Sequence, residues 1–209
     1  IATESKGKIF LDYACGNGDY AIHACKSGAA LALGFDISGT SIKNATKFAE
    51  KENLKINKEN GICFFQADAE NTKLPDNCID TVICSGMLHH LDLSYAFPEL
   101  RRILKPNGKI LVVEALDYNP VIKLYRMLTP DMRTEWEKNH ILSLKDVNFA
   151  SRFFAIDEIY YWHVLGYIGG KITFLFPLLD HIDRFIEKIP YIQRLAWIFT
   201  FVMRKEGNN

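Results

Sequence analysis

Short apolar runs alternate with amphipathic stretches over the first half of the chain. Five runs have the length of buried strands: residues 9–11, 30–35, 62–66, 79–84 and 110–113. Residues 38–53 and 93–104 instead place their apolar side chains at helical spacing. Strands that alternate with helices predict an α/β fold, with a parallel sheet covered by helices. Residues 153–161 and 195–203 are the candidates for a sixth and a seventh strand.

A glycine-rich loop joins the first apolar run to a helix expected to begin near Asp19. Residues 14–18 read ACGNG. Gly16 and Gly18 allow a tight turn and leave room for a ligand beside the backbone, and the first helical N–H groups would point at that ligand. Asp36, at the tip of the second predicted strand, is placed to accept hydrogen bonds from a ribose diol. The stretch is typical of the first βαβ unit of a nucleotide-binding sheet.

Two kinds of ligand fit this unit. The letters GNGDYA match G-x-G-x-x-A, and Asp36 lies 18 residues beyond Gly18, near the spacing of about 20 in the dinucleotide fingerprint. A nicotinamide-dependent oxidoreductase is therefore one hypothesis. The acidic Asp12 inside the first strand and the Ala-Cys that precedes the glycines favour a different ligand.

The loop and two later segments resemble the motifs of the class I S-adenosylmethionine (SAM) dependent methyltransferases. LDYACGNG resembles the family's L-D-x-G-C-G-x-G, with Ala14 where the family usually has glycine. LPDNCIDTVICSGMLHHL resembles L-P-F-x-D-x-x-F-D-x-V-x-x-x-x-x-L-H-H-L, and RRILKPNGKI resembles R-x-L-K-P-G-G-x-L. The resemblance covers residues 8–115. It implies methyl transfer from SAM, with S-adenosylhomocysteine as the product.

The same resemblance implies a fold. A doubly wound, Rossmann-like sheet of seven mostly parallel strands is expected, with the last strand antiparallel and three layers, α/β/α. The length of 209 residues fits a single domain over residues 1–209. Residues 115–150 are too long for a connector and are expected to form an insertion or lid. Because few residues precede the first strand and the chain starts with Ile1, the family's N-terminal cover is expected to be missing and the SAM site to be open.

The resemblance also implies the residues of the cofactor site. Asp68 matches the family's acid that binds the adenine amino group, and the alternative is that it only caps a turn. Tyr20 is expected either to line the pocket or to pack in the core. The residues expected to bind the cofactor are Asp12, Tyr13, Ala14, Cys15, Gly16, Asn17, Gly18, Asp36, Ile37, Ser38, Asp68, Ala69, Ser85 and Gly86.

Four residues are candidates for acid–base chemistry at the methyl acceptor: His89, His90, Glu114 and His140. A base can assist transfer to a hydroxyl, and His is the side chain that titrates near neutral pH. A His oriented by Glu114 would form such a base, whereas the alternative for the adjacent His pair is packing or helix capping. No metal site is expected, because two adjacent His without acidic or Cys neighbours at ligand spacing are a poor zinc motif.

The charge balance, the cysteine content and the absence of long apolar runs indicate which partners and which cellular location to expect. Lys+Arg and Asp+Glu are equal at 25 each, so no nucleic-acid partner is expected. The five cysteines are odd in number and form no C-x-x-C pair, which fits reduced thiols. Because the chain shows no signal peptide and no run of 18 uncharged apolar residues, a cytoplasmic location is expected.

The C-terminal third carries many aromatic and aliphatic residues. Over residues 160–190 they recur at helical intervals, with basic residues between them. Four hypotheses are open: a cover for the sheet, a pocket for an apolar acceptor, a homodimer interface, and a peripheral membrane contact. The acceptor is expected to be a small molecule, with an apolar or lipid-linked one favoured. A non-catalytic module that binds SAM or docks on a membrane is the remaining alternative.

Overall fold

Eight strands form one sheet in the computed structural model, which describes residues 1–57, 59–129, 131, 140–165, 174 and 176–207. The strands are β1 (Ile9–Tyr13), β2 (Leu31–Asp36), β3 (Gly61–Gln66), β4 (Ile79–Ser85), β5 (Leu104–Ala115), β6 (Ala155–Ile156), β7 (Tyr160–Trp162) and β8 (Ile198–Arg204). Their order in the sheet is β3-β2-β1-β4-β5-β8-β6, and β7 also pairs with β8.

The first five strands are parallel, and the last is antiparallel. Leu11 in β1 pairs with Leu33 on one side and with Val82 on the other. In contrast, β8 runs against β5, with Phe201 opposite Val112. Because the chain moves outward from β1 in one direction and then crosses to β4 in the other, the sheet is doubly wound. The predicted sheet with an antiparallel last strand is confirmed.

The predicted sixth strand is present as two short pieces. Ile156 in β6 pairs with Met203, and Tyr160 in β7 pairs with Thr200. Between these two pairs the chain advances four residues from β6 to β7, whereas β8 advances only three. The extra residue leaves the ladder, as in a β-bulge, so β6 and β7 are the two halves of one interrupted edge strand.

Helices cover both faces of the sheet. Those in the described residues are α1 (Ala2–Ser5), α2 (Asp19–Lys26), α3 (Gly39–Lys51), α4 (Leu93–Ile103), α5 (Pro120–Leu128), α6 (Leu144–Ala150) and α7 (Phe176–Ile186), with 3-10 turns at Leu88–His90 and Ile192–Leu195. One buried cluster includes Ala21 of α2 and Ala49 of α3, and another includes Phe97 of α4 and Val147 of α6. The three predicted layers are therefore present.

Side-chain caps begin two helices at the carboxyl edge of the sheet. Ser38 Oγ accepts a hydrogen bond from Ser41 N (3.2 Å), and Asp92 Oδ1 accepts one from Ser94 N (2.9 Å). Each cap satisfies an N–H that the first turn leaves without a helical partner. The cap at Ser38 starts α3 almost directly after Asp36, so the chain turns sharply at the tip of β2.

The residues before β1 lie at the opposite edge of the sheet. Glu4 in α1 forms ion pairs with Lys8 and Lys109, each at 3.0 Å. Thr81 Oγ1, near the start of β4, donates to the backbone O of Glu4. Because the parallel strands begin at this edge, the described residues before β1 lie opposite the edge where those strands end.

Two predicted segments are described in part. The insertion at 115–150 contains α5 and α6, while residues 130 and 132–139 lie outside the described residues. The apolar segment at 160–190 contains β7 and α7, while residues 166–173 and 175 lie outside. Whether the insertion acts as a lid stays a prediction. No helix in the described part of the chain is long and apolar enough to cross a membrane.

Candidate functional site

The carboxyl ends of β1, β2 and β4 border a cavity of about 320 Å³, here named the strand-end cavity. Open α/β sheets bind ligands at the point where the strand order reverses, and β1 and β4 flank that point here. The cavity is lined by Ala14, Phe35, Asp36, Ile37, Ala67, Asp68, Ala69, Ser85, Gly86, Met87, His90 and Leu91. Half of the residues predicted to bind the cofactor are thus brought together from four separate loops.

The glycine loop makes its turn through three left-handed residues. Ala14, Gly16 and Gly18 have φ of +55°, +51° and +81°. A Cβ on Gly16 would meet no atom within 4 Å, so this glycine leaves space for a ligand to approach the backbone. A Cβ on Gly18 would lie 2.5 Å from Cε1 of Phe64. Gly18 therefore allows the start of α2 to pack closely on β3.

Ala14→Gly is expected to stabilise the protein by about 1 kcal/mol. A left-handed L-residue costs about 1–2 kcal/mol, and the greater freedom of glycine in the unfolded chain offsets part of the gain. Urea unfolding measures the change. Ala67→Gly is the matched control, because Ala67 lines the same cavity without a positive φ and should lose stability. An Ala14→Gly variant that is no more stable than wild type would contradict the assigned strain.

Asp36 is fixed at the tip of β2 by two backbone donors. Its Oδ2 accepts from Gly16 N (2.9 Å) and its Oδ1 from Ser38 N (2.8 Å). Each carboxylate oxygen can accept a further hydrogen bond. The next side chain, Ile37, is 70% exposed on the cavity wall. This arrangement suits a nucleoside, because the fixed carboxylate can accept hydrogen bonds from the ribose hydroxyls and the exposed apolar side chain can contact the base.

The loop after β3 forms the facing wall. Asp68 Oδ1 accepts a hydrogen bond from Glu70 N (2.9 Å), so the turn-capping role is present, and Asp68 also lines the cavity. The Tyr13 hydroxyl donates to the backbone O of Ala69 and holds this loop against β1. That Asp68 binds adenine stays a prediction. The position of Asp68 on the cavity wall supports it.

Other predicted cofactor residues have side chains that support the loop rather than face the cavity. Asp12 is 3% exposed, and its Oδ2 accepts from Ala21 N in α2 (3.1 Å). Tyr13 is 1% exposed in the core. Burial raises the pKa of the Cys15 thiol well above its usual range, so that thiol stays neutral. The remaining predicted residues that do not line the cavity are Gly16, Asn17 and Gly18 in the loop and Ser38 at the cap of α3.

Because of the buried Asp12 carboxyl, we expect the free energy of unfolding to fall as the pH rises toward neutrality. Burial raises its pKa from 3.8 to about 7, against the lowering effect of the backbone amides of Ala21 and Tyr20. The folded state therefore binds the proton more tightly than the unfolded state. The resulting stabilisation is complete below pH 3.8 and is lost as the pH rises to about 7.

Asp12→Asn removes this titration. We expect the unfolding free energy of the variant, relative to wild type, to rise by at least about 1 kcal/mol between pH 4 and 7 and then to level off. Urea unfolding at several pH values measures the difference. Asp157→Asn, at an exposed ion pair with Arg204, should show no comparable rise over this range. Parallel curves for wild type and Asp12→Asn would contradict the prediction.

The end of β4 is tied to the first turn of α2. Tyr20 Oη and Ser85 Oγ lie 3.0 Å apart, and Ser85 lines the strand-end cavity. Gly86 follows with φ +62°, and a Cβ there would meet no atom within 4 Å. Tyr20 itself does not line the cavity and packs against the buried cluster that includes Ala21 and Ala49, as the second expectation for this residue has it.

A buried carboxylate organises the turn after β4. Glu114, at the end of β5, is 2% exposed. Its Oε1 accepts hydrogen bonds from Met87 N (2.7 Å) and Leu88 N (2.6 Å). Its Oε2 lies 2.9 Å from Nδ1 of His89. The carboxylate favours the ring tautomer with hydrogen on Nδ1, so Nε2 is the nitrogen that can accept a proton.

A second cavity, of about 430 Å³, lies on the other side of this turn and is here named the His89 cavity. It is lined by Leu88, His89, Leu91, Asp92, Leu93, Ser94, His140, Ile141, Leu142, Asp146 and Phe149. His90 lines the strand-end cavity instead, although the two rings are only 4.1 Å apart between centroids. Leu91 belongs to both linings, so the 3-10 turn forms the partition between the cavities.

The four predicted acid–base residues therefore have different surroundings. His89 and Glu114 form a pair, His90 faces the strand-end cavity, and His140 lies across the His89 cavity. Hydrogen bonds from Ser94 and the nearby His140 lower the pKa of the Asp92 carboxyl. Among the described residues no group of three His, Cys, Asp or Glu side chains could hold a metal ion.

Several lining residues were not predicted from the sequence. Phe35 and Ala67 each precede a predicted residue, so inclusion of strand-end neighbours would have found them. In contrast, Leu142, Asp146 and Phe149 line the His89 cavity from the insertion, where the sequence has no motif.

Known methyltransferases match this chain over half or more of its length. Residues 11–112 match the family model of a methyltransferase domain. A sterol 24-C-methyltransferase of Aspergillus fumigatus is 33% identical over 112 residues, which are 53% of this chain and 29% of that protein. A demethylmenaquinone methyltransferase of Thermus thermophilus is 26% identical over 192 residues, 91% of this chain and 71% of that protein. The chain thus spans only part of the length of both relatives.

Solved structures share the fold. A SAM-dependent methyltransferase of Mesorhizobium loti superposes with a TM-score of 0.66 at 18% identity, over 96% of this chain and 92% of that one. The region matched by the family model runs through the glycine loop, Asp36, Asp68 and the turn that carries His89. Residues 11–112 form a methyltransferase domain of the SAM-dependent kind, and the cofactor of this family of enzymes is S-adenosylmethionine.

Proposed function

We propose that the chain transfers the methyl group of SAM to an apolar small molecule held in the His89 cavity, with His89 as general base. One observation carries the proposal. The Leu88–His90 turn separates a nucleotide-type cavity from a second cavity, and Glu114 holds the one His of the turn that faces the second cavity.

The strand-end cavity fits SAM by the chemistry of its walls. Asp36 offers acceptors for the ribose diol, Ile37 an exposed apolar surface for the base, and Asp68 a carboxylate for the adenine amino group. The open side of Gly16 admits the methionine end. Its volume of about 320 Å³ lies within the range of about 300–1,000 Å³ for small-molecule sites. When bound, SAM supplies a methyl group on a positively charged sulfonium.

His89 removes a proton from the acceptor in this proposal. Its Nδ1–H donates to Glu114, and its Nε2 takes the proton. The ring then carries a positive charge, which the buried carboxylate of Glu114 stabilises without moving. General-base assistance of this kind contributes roughly 10²–10⁴-fold. The remaining acceleration comes from holding the acceptor in line with the methyl group.

The apolar class of the acceptor has two supports. The His89 cavity combines a polar rim with apolar side chains: Leu88, Leu91, Leu93, Ile141, Leu142 and Phe149. Two relatives are named for a sterol and for a demethylmenaquinone. Both observations favour an apolar acceptor, free or lipid-linked, that presents one ionisable hydroxyl or activated carbon.

Asp36→Ala is expected to weaken SAM binding by about 10–100-fold, because a hydrogen bond to a charged group contributes about 1.5–3 kcal/mol. The loss of the acceptor for Gly16 N adds to the effect by releasing the glycine loop. Calorimetric titration with SAM measures the affinity. Asp157→Ala, which removes an exposed carboxylate at the far edge of the sheet, should bind SAM like wild type. An unchanged affinity in Asp36→Ala would contradict the assigned site.

The alternatives are separated by two further measurements. Titration with NAD should give no binding, whereas NAD binding without SAM binding would revive the oxidoreductase hypothesis. Methyl-labelled SAM is then incubated with a long-chain alkyl hydroquinone and with hydroquinone itself. We expect labelled product from the long-chain compound. SAM binding without transfer to either compound would favour a non-catalytic module.

Two finer predictions concern partners of the C-terminal third. A peripheral membrane contact and a homodimer would both use its exposed apolar side chains. The membrane contact is favoured if the apolar acceptor is dissolved in a bilayer, because the enzyme would then meet its acceptor at the bilayer surface.

A further inference from the structure

Helix α7 turns its acidic side toward the protein. Asp183 is 2% exposed, and its Oδ1 accepts a hydrogen bond from Leu165 N (2.8 Å). One turn later, Glu187 Oε1 accepts from His163 N (2.6 Å). The two carboxylates bind backbone N–H groups of the segment that follows β7, so polar interactions attach this helix to the domain.

The opposite side of the same helix is apolar and exposed. Leu178, Ile182 and Phe185 recur at intervals of four and three residues and are 57%, 37% and 63% exposed. This spacing places them in one row on the side of the helix opposite Asp183. Ile189, just after the helix, is 43% exposed, and these four residues are here named the outward stripe. A surface helix normally buries its apolar stripe and exposes its polar side. Helix α7 is therefore reversed relative to the usual arrangement.

The exposed apolar surface continues beyond α7. The side chains that extend it are Tyr191, Ile192, Leu195 and Trp197 after the helix and Val121, Leu124, Met127 and Leu128 on α5, each at least 38% exposed. Asn119 Nδ2, at the start of α5, donates to the backbone O of Leu195 (2.6 Å) and joins the two parts. The patch is larger than isolated surface residues would give and marks an interaction surface.

Cationic side chains border this surface. Lys188 directly precedes Ile189 of the outward stripe, and the Arg194 guanidinium lies 5.2 Å from the ring of Tyr191. Arg184 lies nearer the acidic side of the helix and pairs with Asp180 at 2.9 Å. Asp183 and Glu187 are directed inward. Because the chain as a whole is neutral, with 25 acidic and 25 basic residues, this cationic border is a local feature.

We propose that the outward stripe docks the protein on the surface of a bilayer that contains anionic lipid. Its apolar row would enter the boundary between head groups and acyl chains, while Lys188 and Arg194 would contact lipid phosphates. The aromatic rings of Tyr191 and Trp197 suit the same depth, where amphipathic rings are enriched. The inference rests on the proposed function in one respect, because an apolar acceptor gives the enzyme a reason to work at a bilayer.

Vesicle sedimentation tests the proposal. The full chain is mixed with phosphatidylcholine vesicles, with or without about one third phosphatidylglycerol, in low salt and in about 0.5 M salt. We expect binding to the anionic vesicles and weaker binding at high salt. Leu178→Gln/Phe185→Gln should lower the partition coefficient by at least about tenfold, because two apolar side chains no longer leave water. Tyr95→Gln, at a 62% exposed residue of α4, is the matched control and should bind like wild type.

Calorimetric titration with SAM accompanies each variant and shows that the fold and the strand-end cavity are retained. Retained SAM binding with loss of vesicle binding in the α7 variant alone supports the proposal. Vesicle binding that the α7 variant leaves unchanged overturns it. A concentration-dependent dimer without vesicle binding, abolished by the same variant, overturns it in favour of a homodimer. If vesicles bind but no acceptor is methylated, the proposed function fails while the docking surface stands.

Discussion

Glu114→Gln lowers kcat for methyl transfer by about 10²–10³-fold and leaves the SAM affinity unchanged. The Gln carbonyl can still accept the hydrogen bonds from Met87 N and Leu88 N, so the turn is retained. The amide nitrogen then faces His89 Nδ1 and donates to it. His89 consequently carries its hydrogen on Nε2, where the proposal requires a proton acceptor.

Single-turnover kinetics and SAM titration separate the two quantities. If His89 and Glu114 act as one unit, His89→Gln combined with Glu114→Gln should be no slower than the slower single variant. Glu99→Gln is the matched control. Glu99 is a buried carboxylate that accepts from Thr72 and Arg102, and it lines neither cavity. It should lose stability while the folded protein keeps its turnover, and unchanged turnover in Glu114→Gln would reject His89 as the base.

Gly18→Ala lowers the free energy of unfolding by about 3 kcal/mol. The left-handed backbone costs a non-glycine residue about 1–2 kcal/mol, and forcing a methyl group into a filled space costs a further 1–3 kcal/mol or so. The new Cβ would lie 2.5 Å from the Phe64 ring, and that ring also fills the space beside Gly34. The ring therefore has little room to move away.

Gly16→Ala separates the two costs in the Gly18 prediction. Gly16 has φ +51°, yet a Cβ there would meet no atom within 4 Å. Urea unfolding should show a loss of about 1 kcal/mol for Gly16→Ala, from the backbone alone. Equal losses in the two variants would mean that the contact with Phe64 adds nothing. In titrations with SAM we expect the larger loss of affinity in Gly16→Ala and the smaller loss in Gly18→Ala, since Gly16 adjoins the open side of the loop.

The sequence predicted those parts of the molecule that local rules determine. A short apolar run, a glycine loop and an acid after the second run predict a strand, a turn and a ligand contact within 30 residues. The structure contains β1, the loop and Asp36 in that arrangement. The parallel order followed because strands that alternate with helices allow few other topologies. Asp12 was predicted at the ligand because its motif neighbours lie there, whereas its buried carboxylate accepts a hydrogen bond from Ala21 N in the first turn of α2.

The His89 cavity could not be predicted in the same way. Its walls come from residues 88–94 and from residues 140–149, and their meeting depends on how the insertion folds back. Helix α7 illustrates a second limit. Periodicity indicates that Leu178, Ile182 and Phe185 share a face, but it does not indicate which face lies inside. The N–H groups of residues 163 and 165 decide this, because they bind the acidic face.

The position of β8 has a consequence for synthesis of the chain. β8 lies between β5 and the edge pieces β6 and β7, which pair with nothing else in the described sheet. Until residue 204 has left the ribosome, β5 therefore keeps an open edge, and β6 and β7 have no strand to join. An open edge of this kind can pair with other chains. A nascent chain with its first five strands folded is thus the stage at which a chaperone would protect this protein from aggregation.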